Sequence, residues 1–113
     1  MADTLFTRII NRQIPADIVY EDELCLAIRD INPQAPVHLL LIPKQPIDML
    51  SNAKPEDQAL LGHLLLAAGR IARQLGIDGA FRLVVNNGAD SGQSVFHIHI
   101  HILAGRRFRW PPG

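Results

Sequence analysis

Residues 97–103 read His-Ile-His-Ile-His-Ile-Leu, and this alternation constrains the chain more than any other feature. In an extended strand, successive side chains point to opposite faces. The pattern therefore predicts a strand over Val95–Leu103 with Ile98, Ile100 and Ile102 anchored in a core and His97, His99 and His101 lining the other face. An apolar strand gains nothing from three histidines on one side, so the triplet calls for a chemical explanation. A fourth histidine, His38, stands in another strand-like run just after a loop.

Other elements follow from periodicity and punctuation. A short helix is expected over 4–11, capped by Asp3, with Leu5, Phe6, Ile9 and Ile10 on its apolar side. Ile18-Val19-Tyr20 and Leu24–Arg29 read as strands joined by a turn. The uninterrupted apolar run Val37–Ile42, closed by Pro43, reads as a strand buried on both faces. Pro55, Glu56 and Asp57 suit a helix start, and Gly76 suits the position just past its end. Phe81–Asn86 completes the set of strands. On the long helix, Leu60, Leu61, Leu64, Leu65, Leu66, Ala67, Ala68, Ile71, Ala72 and Leu75 wrap well over half the circumference. One sheet face needs a narrower stripe, so the excess suggests a second copy of the chain.

Composition bounds the function. The chain has 113 residues, 48% of them hydrophobic, and 11 basic residues balance 11 acidic ones. One domain over 1–113 is expected. The neutral balance argues against a protein that mainly grips nucleic-acid phosphates; Arg106, Arg107 and Arg109 form the dense basic cluster. A single cysteine, Cys25 between two leucines, leaves no internal disulfide and no cysteine zinc site to expect, and reads as a small buried residue. The start Met1-Ala2-Asp3-Thr4 lacks a basic n-region and no apolar run approaches a bilayer's thickness, so a soluble cytoplasmic protein without a membrane partner is expected.

Histidine ligates metals, but the outer two of the triplet would lie about 13 Å apart along a strand at ~3.3 Å per residue. One ion could not reach all three, although two with His38 could hold one. Covalent chemistry fits better, because neutral imidazole attacks phosphorus well and leaves well afterwards. Flanking histidines can donate to phosphoryl oxygens. The preceding loop, Asn87-Gly88-Ala89-Asp90-Ser91-Gly92-Gln93-Ser94, suits either a phosphate cradle or a plain connection between strands.

With these residues in place the sequence resembles the histidine triad (HIT) family, whose mark is His-φ-His-φ-His-φ-φ with φ apolar. The resemblance extends to the Hint branch of nucleoside phosphoramidases through Asp30-Ile31-Asn32-Pro33-Gln34-Ala35-Pro36-Val37-His38, Ile42-Pro43-Lys44, Asn86, Gly92-Gln93-Ser94-Val95-Phe96 and Trp110-Pro111-Pro112-Gly113. It covers residues 3–113. It implies a homodimeric α+β HIT-like fold with an antiparallel sheet of about five strands, one long helix and one short one. It also implies hydrolysis of the P–N bond in purine nucleoside 5′-phosphoramidates, with neither metal nor cofactor.

The resemblance makes His99 the nucleophile that carries a nucleotidyl group. His101 is the donor to phosphoryl oxygens, while His97 and His38 orient the site and share its protons. Ser94 falls on the leaving-group side. Asp30 falls where ribose hydroxyls are bound, although an Asp before Asn-Pro also makes a turn. Ile31, Leu5, Phe6, Ile9 and Ile14 resemble the purine slot, although each would otherwise read as core. Asn86, Gly92, Gln93 and Ser94 would contact the 5′-phosphate, and Trp110 would reach the partner's site. Arg29, Asn87 and Arg109 depart from residues common in the branch and bear on leaving-group preference. The absence of Cys-x-x-Cys argues against the zinc-bearing branches. The alternatives are a dinucleoside polyphosphate hydrolase of the same fold and a nucleotide-binding scaffold that regulates partners.

Overall fold

The computed structural model describes residues 3–113. The expected domain start at Met1, and the reading of Met1 and Ala2 as lacking a signal, lie outside the described residues. The elements run α1 (Leu5–Ile10), β1 (Ile18–Glu21), β2 (Cys25–Arg29), β3 (Val37–Pro43), α2 (Gln58–Gln74), β4 (Phe81–Val84) and β5 (Ile100–Ala104). The strands form one sheet in the order β1-β2-β3-β5-β4, every pairing antiparallel.

Each face of the sheet carries one helix, and alternation along the strands decides which side chains go where. Cys25, Ala27, Leu39, Leu41, Ile100 and Ile102 pack against Leu64, Ala67, Ala68 and Ile71 of α2. Leu26, Ile28, Leu40 and Ile42 pack against Phe6 and Ile9 of α1. The central strands β2 and β3 are therefore buried on both sides, as their continuous apolar runs require.

Two expected helix starts move, and the expected end of the long helix holds. Thr4, not Asp3, caps α1: its backbone is extended, its hydroxyl accepts from the Thr7 amide, and Thr7 returns the bond to the Thr4 amide. Asp3 instead pairs with the Arg8 guanidinium at 2.9 Å. Pro55–Asp57 forms a 3-10 turn before α2 begins at Gln58. Gly76 follows α2 with φ +71°, a conformation that strains a β-carbon.

The last strand is shorter than the alternation predicts. It starts at Ile100, and its pairing with β3 ends where Leu41 faces Ile100. Continued in that register, Ile98 would face Pro43, which has no N–H for the ladder. The Ile98 amide bonds the Ile47 carbonyl instead, at 2.7 Å. His97 and His99 thus precede the strand, and only His101 stands within it. Likewise β4 ends at Val84 rather than Asn86.

Of the apolar stripe on α2, six residues are buried, while Leu65 and Leu66 stay 58% and 72% exposed. No described helix is long and apolar enough to cross a membrane.

Candidate active site

A cleft of about 500 Å³ opens on the α1 face of the sheet, a size that suits a small molecule. The side chains of Leu5, Phe6, Ile9 and Ile14 form its apolar end, and His99, His101 and Ser94 its polar end; Asp30 and Ile31 also line it. Ile31 is fully exposed, an apolar residue the fold leaves at the mouth of an apolar slot. Residues 30–36 supply both groups because the turn is tight: Asp30 Oδ1 accepts from the Asn32 amide at 2.8 Å, and the Asp30 amide bonds the His38 carbonyl.

The histidines form a connected set whose proton positions follow from their partners. A carbonyl can only accept, so His97 Nε2 carries a proton donated to the Pro43 carbonyl at 2.7 Å. By the same reasoning His99 Nδ1 carries a proton donated to the His97 carbonyl at 2.8 Å. The Gln34 amide donates to His38 Nδ1 at 3.0 Å, which places the His38 proton on Nε2. That nitrogen lies 2.9 Å from His101 Nδ1 and 3.4 Å from Asp30 Oδ2. Donation from His38 to His101 Nδ1 puts the His101 proton on Nε2. The neutral set then presents His99 with a free Nε2 lone pair and His101 with an Nε2–H. One is ready to attack and the other to donate.

Burial favours the neutral imidazole at His97, His99 and His101. It lowers the His97 and His99 pKa values below the ordinary histidine range, and the Phe6 ring, edge-on to His99 at 4.9 Å, supplies part of the apolar wall. His101 is lowered to about 4, first by burial and then by its histidine neighbours His99 and His38. His97 is 1% exposed, and its Nδ1 has no hydrogen-bond partner.

Other expected contributors lie elsewhere. Gln93 is buried but ties loops together: its side chain accepts from the Gly88 amide and donates to the Asp48 and Val95 carbonyls. The backbone amides of Gly92 and Gln93 bond the carbonyls of Ala89 and Gly88. Asn86 lies against Gly92. These three residues are not brought to the cleft wall, and of the loop's end Ser94 is the residue that lines it. Trp110 is 82% exposed and stands apart from the cleft.

The cleft also contains residues the sequence did not single out. Ile28 and Leu40 share the histidine face through strand alternation, a signal that was available. Asp17 lines the rim and pairs at 3.3 Å with Arg29, which the family resemblance marks for leaving-group preference; nothing in the local pattern announces Asp17. Among the described residues, two groups of side chains offer converging metal-ligand atoms within 4.8 Å of one another: Asp30, His38 and His101 beside the cleft, and Asp22, Cys25 and His63 across the sheet.

Comparison with known proteins places this geometry. The family model described as the HIT domain matches residues 11–108. An uncharacterized HIT-like protein of Synechocystis is 68% identical over 111 residues, spanning 98% of this chain and 97% of its own. Among solved structures, a HIT family hydrolase from Legionella pneumophila superposes with a TM-score of 0.95 at 45% identity, covering 98% of this chain and all of that one. A histidine triad nucleotide-binding protein from Candida albicans gives 0.82 at 27% identity, covering 98% and 85%.

Proposed function

This chain belongs to the HIT-domain family, and we propose that it hydrolyses the P–N bond of purine nucleoside 5′-phosphoramidates through a nucleotidyl-His99 intermediate. The observation that carries the reading is the His99 tautomer: with Nδ1 donating to the His97 carbonyl, Nε2 keeps its lone pair at the wall of the cleft. The nucleotide-binding relative from Candida albicans and the hydrolase from Legionella support a nucleotide substrate and hydrolysis.

The purine enters the apolar end between Leu5, Phe6, Ile9, Ile14 and Ile31, and Asp30 accepts from the ribose hydroxyls. His99 Nε2 attacks phosphorus as the P–N bond breaks and its electron pair goes to nitrogen. An amine anion is a poor leaving group, so that nitrogen needs a proton, and in this reading the Ser94 hydroxyl relays one to it from solvent. The His101 Nε2–H donates to a phosphoryl oxygen, where negative charge gathers in the transition state. Water then attacks phosphorus, the His99–P bond breaks and the nucleoside monophosphate leaves. His38 and His97 hold the reacting rings in the required tautomers.

The active form is proposed to be a homodimer. Leu65 and Leu66 leave exposed apolar surface on α2, and β4 is an edge strand with an unpaired side. The tail bearing Trp110 would then reach the partner's cleft on the leaving-group side.

Comparing hydrolysis of an adenosine 5′-phosphoramidate with that of a diadenosine polyphosphate tests the reading. The phosphoramidate is expected to be strongly preferred, and a large preference for the polyphosphate, whose leaving group departs as a stable anion, would overturn it.

A further inference from the structure

A second cluster of chemically capable side chains lies across the sheet from the cleft, where nothing in the proposed reaction uses it. Asp22 sits in the turn between β1 and β2, Cys25 opens β2 on the face that packs against α2, and His63 projects from the second turn of α2. The Cys25 sulfur lies 3.4 and 3.6 Å from the two carboxylate oxygens of Asp22. His63 Nε2 lies 2.7 Å from Asp22 Oδ2. We propose that Asp22, Cys25 and His63 form a binding site for a borderline-soft divalent cation of the zinc class, pinning the β1–β2 turn to α2.

Three observations carry the proposal. The first is the donor set. One thiolate, one imidazole and one carboxylate suit zinc, whereas calcium and magnesium prefer oxygen alone. The second is spacing. Tetrahedral zinc with bonds of about 2.0–2.3 Å sets its ligands roughly 3.3–3.6 Å apart. The edge from the Cys25 sulfur to Asp22 Oδ2, at 3.6 Å, already has that length. The 2.7 Å nitrogen–oxygen edge would have to open by less than about 1 Å, and His63, with its side chain 28% exposed, has room to move.

The third is support and access. Asp22 Oδ1 is fixed by the amides of Leu24 and Cys25 at 2.8 and 2.9 Å, leaving Oδ2 to a ligand. Tyr20 donates to Oδ2 at 2.8 Å and is itself held by Arg70. A surface cavity of about 410 Å³ opens beside His63, with Glu23 and Glu56 on its wall together with Lys44. It meets the cluster at His63, while Asp22 and Cys25 are not on its wall.

The protons balance simply. His63 Nε2 now donates to Asp22, so on binding its proton moves to Nδ1 through solvent. Cys25 loses its thiol proton to solvent as the ion binds. Burial, then the neighbouring Asp22 charge, pushes the free thiol up to about 12, so the metal-free sulfur is an inert thiol. A cation replaces its proton and matches the Asp22 charge.

The test titrates cobalt(II), a coloured stand-in for zinc, into metal-free protein. The variants are Cys25→Ser, His63→Asn and His101→Asn, the last disabling the histidine group in the cleft. The expected result is one ion per chain with a thiolate-to-cobalt charge-transfer band and tetrahedral ligand-field bands in wild type and His101→Asn. Zinc should raise their melting temperature. His63→Asn changes a partly exposed side chain and keeps the protein folded if Cys25→Ser does not; it should bind at least tenfold more weakly. Absence of a charge-transfer band in wild type, or unchanged affinity in folded His63→Asn, would overturn the proposal. So would binding abolished by His101→Asn.

Discussion

His99 donates its Nδ1 proton to the carbonyl of His97, two residues earlier, across 2.8 Å. The contact exists because the chain has left the sheet at this point: Ile98 bonds Ile47, not a neighbouring strand. The bend therefore sets the tautomer. Removing the ring should remove an interaction made mainly in the transition state and the covalent intermediate. His99→Gly is expected to lower kcat/KM by about 10³-fold or more, the scale on which losing a nucleophile is felt. AMP affinity by calorimetry should change little. Lost AMP binding with retained turnover would reassign the residue.

Acid should weaken both fold and activity. The pKa values of His97, His99 and His101 lie below the ordinary histidine value because of burial, with His101 at about 4. Unfolded, these residues titrate near ~6.5 and so bind more protons than the native chain below that pH. Their contribution to stability is therefore fully present above about pH 6.5 and is lost as the pH falls toward the native values. Denaturant midpoints should drop from pH 7.5 to pH 5. The acid limb of kcat/KM should lie below pH 6.5, where the free enzyme's histidines finally protonate.

Asp30 separates two roles by substrate. One of its oxygens already holds the Asn32 amide, and the other lies 3.4 Å from His38. If it also accepts from ribose hydroxyls, Asp30→Asn should raise KM at least several-fold for ribonucleoside substrates. It should have much less effect on substrates lacking both hydroxyls. An equal effect on both would confine Asp30 to building the turn.

The exposed leucines of α2 give a prediction about assembly. Leu66 is 72% exposed, outside the buried stripe that packs α2 on its own sheet. In a dimer, Leu66→Glu would bury an unpaired charge at the interface, a penalty of several kcal/mol. Light scattering should find wild type as a dimer and the variant shifted toward monomer. A monomeric wild type would contradict the proposed assembly.

The sheet was legible in the sequence because apolar runs and alternation report burial directly. Val37–Ile42 is buried on both faces, and Ile100 and Ile102 face the core while His101 turns to the cleft. Ends were less legible, because they depend on single hydrogen bonds: Thr4 outcompetes Asp3 as a cap by having the extended backbone and a partner in Thr7. The start of β5 depends on Pro43, which lies 57 positions before Ile100 in the chain and whose effect needs the register of the sheet. The site was read mainly through the triplet and the residues the family resemblance marked. The loop before it was harder, since glycine permits an amide to face an anion but does not oblige it to. In the structure the Gly92 and Gln93 amides turn inward.

In the proposed reaction His99 attacks phosphorus in a P–N substrate without metal. The most direct measurement is steady-state hydrolysis of an adenosine 5′-phosphoramidate bearing a fluorescent amine, with wild type and His99→Ala compared in the presence of chelator. Undiminished wild-type turnover and an inactive variant are expected, since any cation at Cys25 lies on the far face of the sheet. No wild-type turnover in protein that binds AMP, turnover abolished by chelator, or an active His99→Ala would each contradict it.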